Sequence, residues 1–258
     1  MDNLLNIENL TIQFGGLKAV NNVSTHVEKG EIRAIIGPNG AGKTTILNAV
    51  SGFYTPKSGK IIFKGNDISG KGTFYISTHG IARTYQNIRV FKGLTVMDNI
   101  LIGQHMHIKQ NIFEAFLNTK KYIAQEAKAK DDAKEFLSMI GLGNIENQIV
   151  KNLPYGQLKI LEIARALAQK PELLLLDEPA AGLNPSETKQ LSKLIFKIRD
   201  TGITMILIEH NMGLITAVAD NITVINFGEK IAEGSPEEIS HNPKVIEAYL
   251  GKGGTVIA

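Results

Sequence analysis

Short apolar runs and longer amphipathic stretches take turns along the chain. "LLNIENLTIQF" alternates apolar and polar positions and predicts one or two strands over Leu4–Phe14. "GEIRAIIG" predicts a short apolar strand, and "GAGKTTILNAVSG" after it predicts a helix closed by Gly52. "GKIIFKG" predicts an edge or meander strand, and "GIARTYQ" starts as a strand and ends in polar residues.

From about Thr95 to Ala168 the period becomes helical. Thr95 is placed to cap "VMDNILIGQH"; "AQEAKAKDDAKEFLSMIG" has strong helix formers and a glycine stop; "GQLKILEIARALAQ" is a third helix closed before a proline. "ELLLLDE" and "TMILIEH" then predict buried strands, too short for helices. Between them "SETKQLSKLIFKIRDTG" predicts an amphipathic helix with Ser186 as its cap. "NITVINFGEKIAEG" predicts a hairpin turning at Gly228, and "SPEEI" carries an N-cap, a first-turn proline and a capping box. Strands alternate with helices at both ends around a helical block. The expected class is α/β: a mostly parallel sheet covered by helices, with an inserted helical subdomain.

Composition adds limits. The 258 residues suffice for a large buried core, 43% apolar and 21% charged content suits a globular chain, and a net charge of +3 gives no argument for nucleic acid. The chain has no cysteine, which rules out disulfide, iron–sulfur and zinc–thiolate chemistry. "MDNLLNIENL" lacks the features of a signal peptide. No run approaches about 18 uncharged apolar residues, so membrane work would require other subunits to supply the spans.

The chemistry centres on "GPNGAGKT", Gly37 to Thr44, which fits G-x-x-x-x-G-K-[ST] between a strand and a helix. Glycines here are expected to let backbone N–H groups curl toward an anion at a helix N-terminus. Lys43 reaches the β- and γ-phosphates in such a loop, and the Thr44 hydroxyl ligates Mg²⁺. "LLLLDE" supplies the carboxylates. Asp177 comes at the C-terminal end of a buried strand, where open α/β sheets place ligands, and is expected to hold Mg²⁺ through water. Glu178 is expected to polarise the attacking water.

With these residues the chain resembles the nucleotide-binding subunit of an ATP-binding cassette (ABC) transporter. "GPNGAGKTT" resembles that family's Walker A loop and "LLLLDEP" its Walker B strand; "LPYGQ" sits where the family has its LSGGQ signature. Gln86 in "ARTYQN" resembles the Q-loop glutamine, "AGLNP" the D-loop, and His210 in "LIEHNM" the switch histidine. The resemblance implies a P-loop NTPase (RecA-like), mostly parallel core with an N-terminal antiparallel β subdomain and an inserted α-helical subdomain. One ATP-binding domain would cover 4–251: core and β subdomain at 1–86 and 169–234, helical subdomain at 87–168, and a C-terminal helical extension at 235–258.

The resemblance also implies site roles. Gly37, Pro38, Asn39, Gly40, Ala41, Gly42, Lys43, Thr44 and Thr45 would hold the ATP phosphates, and Phe14 would stack on adenine unless it is a core strand residue. Glu178, His210 and Gln86 would carry hydrolysis; Thr44, Gln86 and Asp177 would attend Mg²⁺. Tyr155, Gly156 and Gln157 would face the nucleotide of a second ATP-binding subunit in a head-to-tail dimer, homo- or heteromeric. Two motifs depart from the family pattern. Pro154 replaces the signature serine, removing a hydroxyl and an N–H donor, and Tyr155 replaces its first glycine. Asn184 stands for the D-loop aspartate.

"GIARTYQNIRVFKGLTVMDNILIGQH", "LDEPAAGLNPSET" and "NPKVIEAYLG" resemble the larger ATPase subunit of bacterial branched-chain amino-acid importers. That implies a peripheral protein on the cytoplasmic face of the membrane, bound to separate permeases and served by a solute-binding protein, with residues 87–94 as candidates for permease contact. Urea or amide import, lipopolysaccharide or lipid export, and a regulatory cassette ATPase that transports nothing stay open. A P-loop kinase or GTPase would carry a base-reading motif such as N-K-x-D, which is absent.

Overall fold

The computed structural model describes residues 3–104 and 119–250. Its strands are β1 (Asn3–Phe14), β2 (Leu17–Glu28), β3 (Ile32–Ile36), β4 (Ser58–Phe63), β5 (Asn66–Asp67), β6 (Ile81–Arg83), β7 (Leu173–Asp177), β8 (Thr204–Ile208), β9 (Asn221–Asn226) and β10 (Glu229–Gly234). Its α-helices are α1 (Lys43–Val50), α2 (Thr73–Thr78), α3 (Val96–Gln104), α4 (Lys120–Met139), α5 (Tyr155–Leu167), α6 (Pro185–Asp200), α7 (Met212–Val218), α8 (Pro236–Ser240) and α9 (Pro243–Leu250).

The described residues form two sheets. The first is antiparallel, in the order β2-β1-β4-β5. The second runs β10-β9-β3-β8-β7-β6, parallel from β9 to β6, with β10 added antiparallel at one edge. Strands β3, β7 and β8 are buried at every residue, which explains their unbroken apolar runs: both faces are covered. Alternate residues serve opposite cores. Ile35, Leu173, Leu175, Ile206 and Ile208 meet α1 and the antiparallel sheet. Leu174, Leu176, Met205 and Leu207 meet the helices between β6 and β7 and helix α6. The one charge inside β3, Arg33, is buried but paired with Glu31 at 2.8 Å and with Glu233 on β10.

Local signals mostly decide the boundaries. Thr95 caps α3: its hydroxyl accepts from the Asp98 N–H at 3.1 Å, and Asp98 accepts from the Thr95 N–H at 3.1 Å. The predicted last residue of that helix, His105, lies outside the described residues. Gly141 (φ +81) ends the α4 region, and Ser235 forms the predicted capping box with Glu238. The hairpin turns through Phe227 and Gly228, both at positive φ.

The cap of α6 differs from expectation. Asn184, not Ser186, is the N-cap: its side chain accepts from the Glu187 N–H while Glu187 accepts from the Asn184 N–H. Pro185 fixes the reason. It occupies the first helical position, where its missing N–H costs nothing, which puts the cap one residue earlier still. The apolar pattern gives no forecast of β2, whose alternation breaks at Asn22 (φ +53), or of α2 and α7, which are too short to show a period.

Asn184→Ala should destabilise the protein by about 1 kcal/mol, the value of a good N-cap. For a chain of this size that is a melting temperature lower by about 2–4 °C. A melting curve unchanged by the substitution would show that Pro185 alone sets the helix start.

Candidate functional site

The chain turns from β3 into α1 through residues 37–42. Two glycines are needed there because protein backbone lies against them. A Cβ on Gly37 (φ +149) would sit 1.9 Å from the Ile225 carbonyl oxygen, and one on Gly42 (φ +104) would sit 2.5 Å from that of Ala19. Gly40 (φ +77) faces open space and needs glycine only for its backbone conformation. The hairpin tip braces the loop, with the Gly228 N–H donating to Ala41 O at 2.9 Å. The loop bounds a cavity of about 190 Å³ lined by residues 39–45, Ala19, Glu178 and His210.

Lys43 folds back onto its own loop and donates to the carbonyls of Gly37 (2.8 Å) and Pro38 (2.9 Å). Burial pulls its ammonium below the usual lysine range, against the opposing pull of Glu178 and Asp177.

Strands β6, β7 and β8 are neighbours and run the same way, so their C-terminal ends deliver Gln86, Glu178 and His210 to one place. Glu178 Oε2 accepts from Gln86 Nε2 at 2.8 Å, and Oε1 lies 2.8 Å from His210 Nε2. A carboxylate only accepts, so Nε2 carries the proton. Glu178 itself has φ +49, a left-handed conformation uncommon outside glycine and typical of functional positions. Its N–H is fixed on Ile208 O at 2.9 Å.

Asp177 is the last residue of β7 and is buried. It forms a 2.8 Å ion pair with Arg83, which also donates to Asn48 (2.7 Å) and Ser51 (2.8 Å) on the α1 side. For Mg²⁺ the available donors fit. The exposed Thr44 lines the cavity; Gln86 and Asp177 carry hard oxygens at its margin but do not line it, and Asp177 is buried on Arg83. Among the described residues no group of three or more His, Cys, Asp or Glu could cage a metal. A cation bound here would lean on few protein ligands, with waters and phosphate oxygens making up the rest, the kind of site that suits Mg²⁺.

Helix α5 begins at Tyr155, capped by Pro154 with no side-chain hydrogen bond. Tyr155 and Gly156 pack within the chain. A Cβ on Gly182 would touch the Tyr155 ring at 2.9 Å, and one on Gly156 would meet the Glu187 carboxylate at 2.5 Å. The "LPYGQ" and "AGLNP" segments therefore lie against each other. Tyr155 is exposed, Gly156 buried and Gln157 half-buried.

Phe14 is no core residue: it is 45% exposed at the end of β1, with its ring edge-on to Tyr54 at 5.0 Å. The groove between the α/β core and the helices is not lined by residues 87–94. About 430 Å³ in size, it is bounded by Phe53, Phe74, Tyr85, Ile102 and Arg165 among others. Phe74, on α2, is 76% exposed.

Four charged residues of the site were not singled out from the sequence: the half-buried Arg83 and the buried Lys159, Glu162 and Glu209. Glu209 accepts from the N–H groups of Ala180 (2.6 Å) and His210 (3.0 Å), tying the start of one loop to the next. The available signal was a charge inside an apolar frame, as in "LKILEIARAL" and "MILIEH".

A phosphate loop on a parallel sheet, with a carboxylate held beside it by Gln86 and His210, defines a P-loop ATPase. The chain matches the ABC transporter family over residues 20–181, and residues 229–255 match the family described as branched-chain amino acid ATP-binding cassette transporter. The chain belongs to the ABC transporter family. It is 45% identical to the high-affinity branched-chain amino acid transport ATP-binding protein LivG of Salmonella typhimurium, covering 96% of this chain and 98% of LivG. It is 44% identical, with the same coverage, to BraF of Pseudomonas aeruginosa, which has the same description. A solved nucleotide-free ATP-binding cassette from an ABC transporter superposes with a TM-score of 0.84 at 33% identity, covering 97% of this chain and 100% of that one. Another, an ADP conformation, gives 0.84 at 32%, covering 98% and 100%.

Pro154→Ser adds a cap oxygen within reach of the Gln157 N–H and restores an N–H. The ATPase rate should be unchanged or higher; a collapse in rate would mean the proline positions Tyr155 in a way a serine cannot.

Proposed function

We propose that this chain is the ATP-hydrolysing subunit of an importer of branched-chain amino acids, seated peripherally on the cytoplasmic face of a membrane. No described helix is long and apolar enough to cross a membrane, so separate permease subunits would form the path. A solute-binding protein would deliver the cargo. In this reading the core covers 1–86 and 169–234 and the helical subdomain 87–168. The single observation that carries the chemistry is the Glu178 carboxylate, held by Gln86 and His210 at the edge of the phosphate-loop cavity.

The residues would divide the work as follows. The N–H groups of residues 39–45 and the α1 dipole bind the phosphates, and Lys43 leaves its loop carbonyls to reach them. Phe14 offers its exposed face to the adenine. Glu178 polarises water for in-line attack on the γ-phosphorus; Gln86 and His210 hold its two oxygens so that the lone pair used on water points into the cavity. Bound Mg²⁺ would offset charge on the phosphate oxygens, near Thr44, Gln86 and, through water, Asp177. The start of α5 in a second subunit would complete each site. Tyr155, Gly156 and Gln157 present that helix end, and Gly156, buried under Glu187, must gain access as the dimer closes. The groove lined by Phe53, Phe74 and Ile102 is the apolar surface proposed to receive a permease segment.

Lys43→Ala should abolish measurable ATP binding; normal affinity would remove the phosphate-loop assignment. Glu178→Gln should still bind ATP and accumulate an ATP-bound dimer, with turnover reduced about 10²- to 10⁴-fold, the usual worth of a general base. Turnover within about tenfold of wild type would mean another group polarises the water. Phe74→Ala should leave the ATPase of the isolated subunit intact and weaken its recovery on membranes containing the permeases. The cargo is tested by labelled leucine uptake in the source cells carrying Glu178→Gln. Selective loss of leucine uptake supports the importer reading; unchanged uptake with a dead ATPase directs attention to urea, amides and lipids.

A further inference from the structure

Helix α5 carries two charges that the reading above leaves without a task. Lys159 and Glu162 are three residues apart and share one face of the helix. Both are buried, at 1% and 2% exposure. Buried ions are justified where each finds partners, since an apolar pair of the same volume would otherwise pack at least as well. Their partners are backbone groups of the catalytic loops. Lys159 Nζ donates to Gln86 O at 3.1 Å and, at a longer 3.4 Å, to Glu178 O. Glu162 Oε1 accepts from the Arg89 N–H at 3.0 Å and the Tyr85 N–H at 3.4 Å. One helix face thus takes the carbonyl of Gln86 and the N–H groups on either side of it.

The same face reaches the strained residue. Glu178 has φ +49, with its N–H on Ile208 O and its carbonyl toward Lys159. A conformation of that kind persists only where the surroundings hold it. Burial pulls the Lys159 ammonium below the usual lysine range, while Glu162, Glu209, Glu178 and Asp177 pull the other way.

We propose that Lys159 and Glu162 are positioning residues, a two-sided clamp by which helix α5 sets the Gln86 amide on the Glu178 carboxylate. Any shift of α5, whose first turn would meet the second subunit, is then transmitted through Lys159, one turn along the helix, to the water-polarising group. The inference rests on the proposed roles of Gln86 and Glu178.

The test is steady-state ATPase and ATP-analogue affinity of the purified full chain, with melting curves to confirm folding. Lys159→Met should lower kcat by about a hundredfold, the scale of a small misplacement, and leave nucleotide affinity nearly unchanged. Lys159→Arg, which keeps the charge and the donors, should recover most of that rate. In a Gln86→Ala background Lys159→Met should add little further loss, because both act through one contact. Glu162→Ala supplies the same comparison from the other side of the clamp, and Lys159→Gln does so if the methionine variant fails to fold. An unchanged kcat in Lys159→Met, or a full multiplicative loss on top of Gln86→Ala, overturns the clamp and leaves Gln86 in place. Normal turnover in Gln86→Ala alone overturns the role of Gln86 first, and the clamp with it.

Discussion

The Glu178 carboxylate takes one hydrogen bond from each side of its own strand. Gln86 comes from the end of β6, His210 from the end of β8, and β7 lies between them. This contact exists only because the three strands are adjacent and parallel, which brings their C-terminal ends to one edge. The phosphate loop follows β3, the next strand along, so the carboxylate and the anion cradle share a cavity. Strand order is therefore the constraint on which the chemistry depends, and the sheet's buried apolar strands are what maintain it.

Around this contact the protein keeps several charges away from water, each with partners. Arg83 holds Asp177 and reaches α1; Glu209 is spent on backbone N–H groups; Lys159 and Glu162 hold the segment bearing Gln86. Breaking such a pair strands an ion in the interior, which costs several kcal/mol. The pairs thus fix geometry more than they add stability. They connect β6, β7, α1 and α5, the elements whose relative placement the site requires.

The departures from the usual signature have a physical setting. Tyr155 lies on Gly182, where no side chain fits beneath its ring, and Gly156 lies under Glu187. Asn184 closes the cap of α6 through that same Glu187. One network thus joins the start of α5 to the start of α6 inside a single chain. An uncharged Asn184 serves this cap as well as an aspartate, because capping needs an acceptor and not a charge.

Much of this was legible in the residues themselves. Unbroken apolar runs declared β3, β7 and β8; "GPNGAGKT" declared a phosphate loop; Ser235-Pro236 and Glu238 declared a helix start. These signals are local, since sterics, capping and burial of a short strand depend on near neighbours. Other features depend on residues far apart in sequence. Ser186 and Asn184 are both good caps, and only the placement of Pro185 in the folded helix decides between them. Phe14 could have been core or surface until the β1–β2 turn put it outside. Arg83 meets Asp177, and Lys159 meets Gln86, across separations of 94 and 73 residues. The sequence by itself determined which elements form and which residues carry phosphate chemistry. Tertiary structure alone decided which charges became partners, because a buried ion is defined by what the fold packs against it.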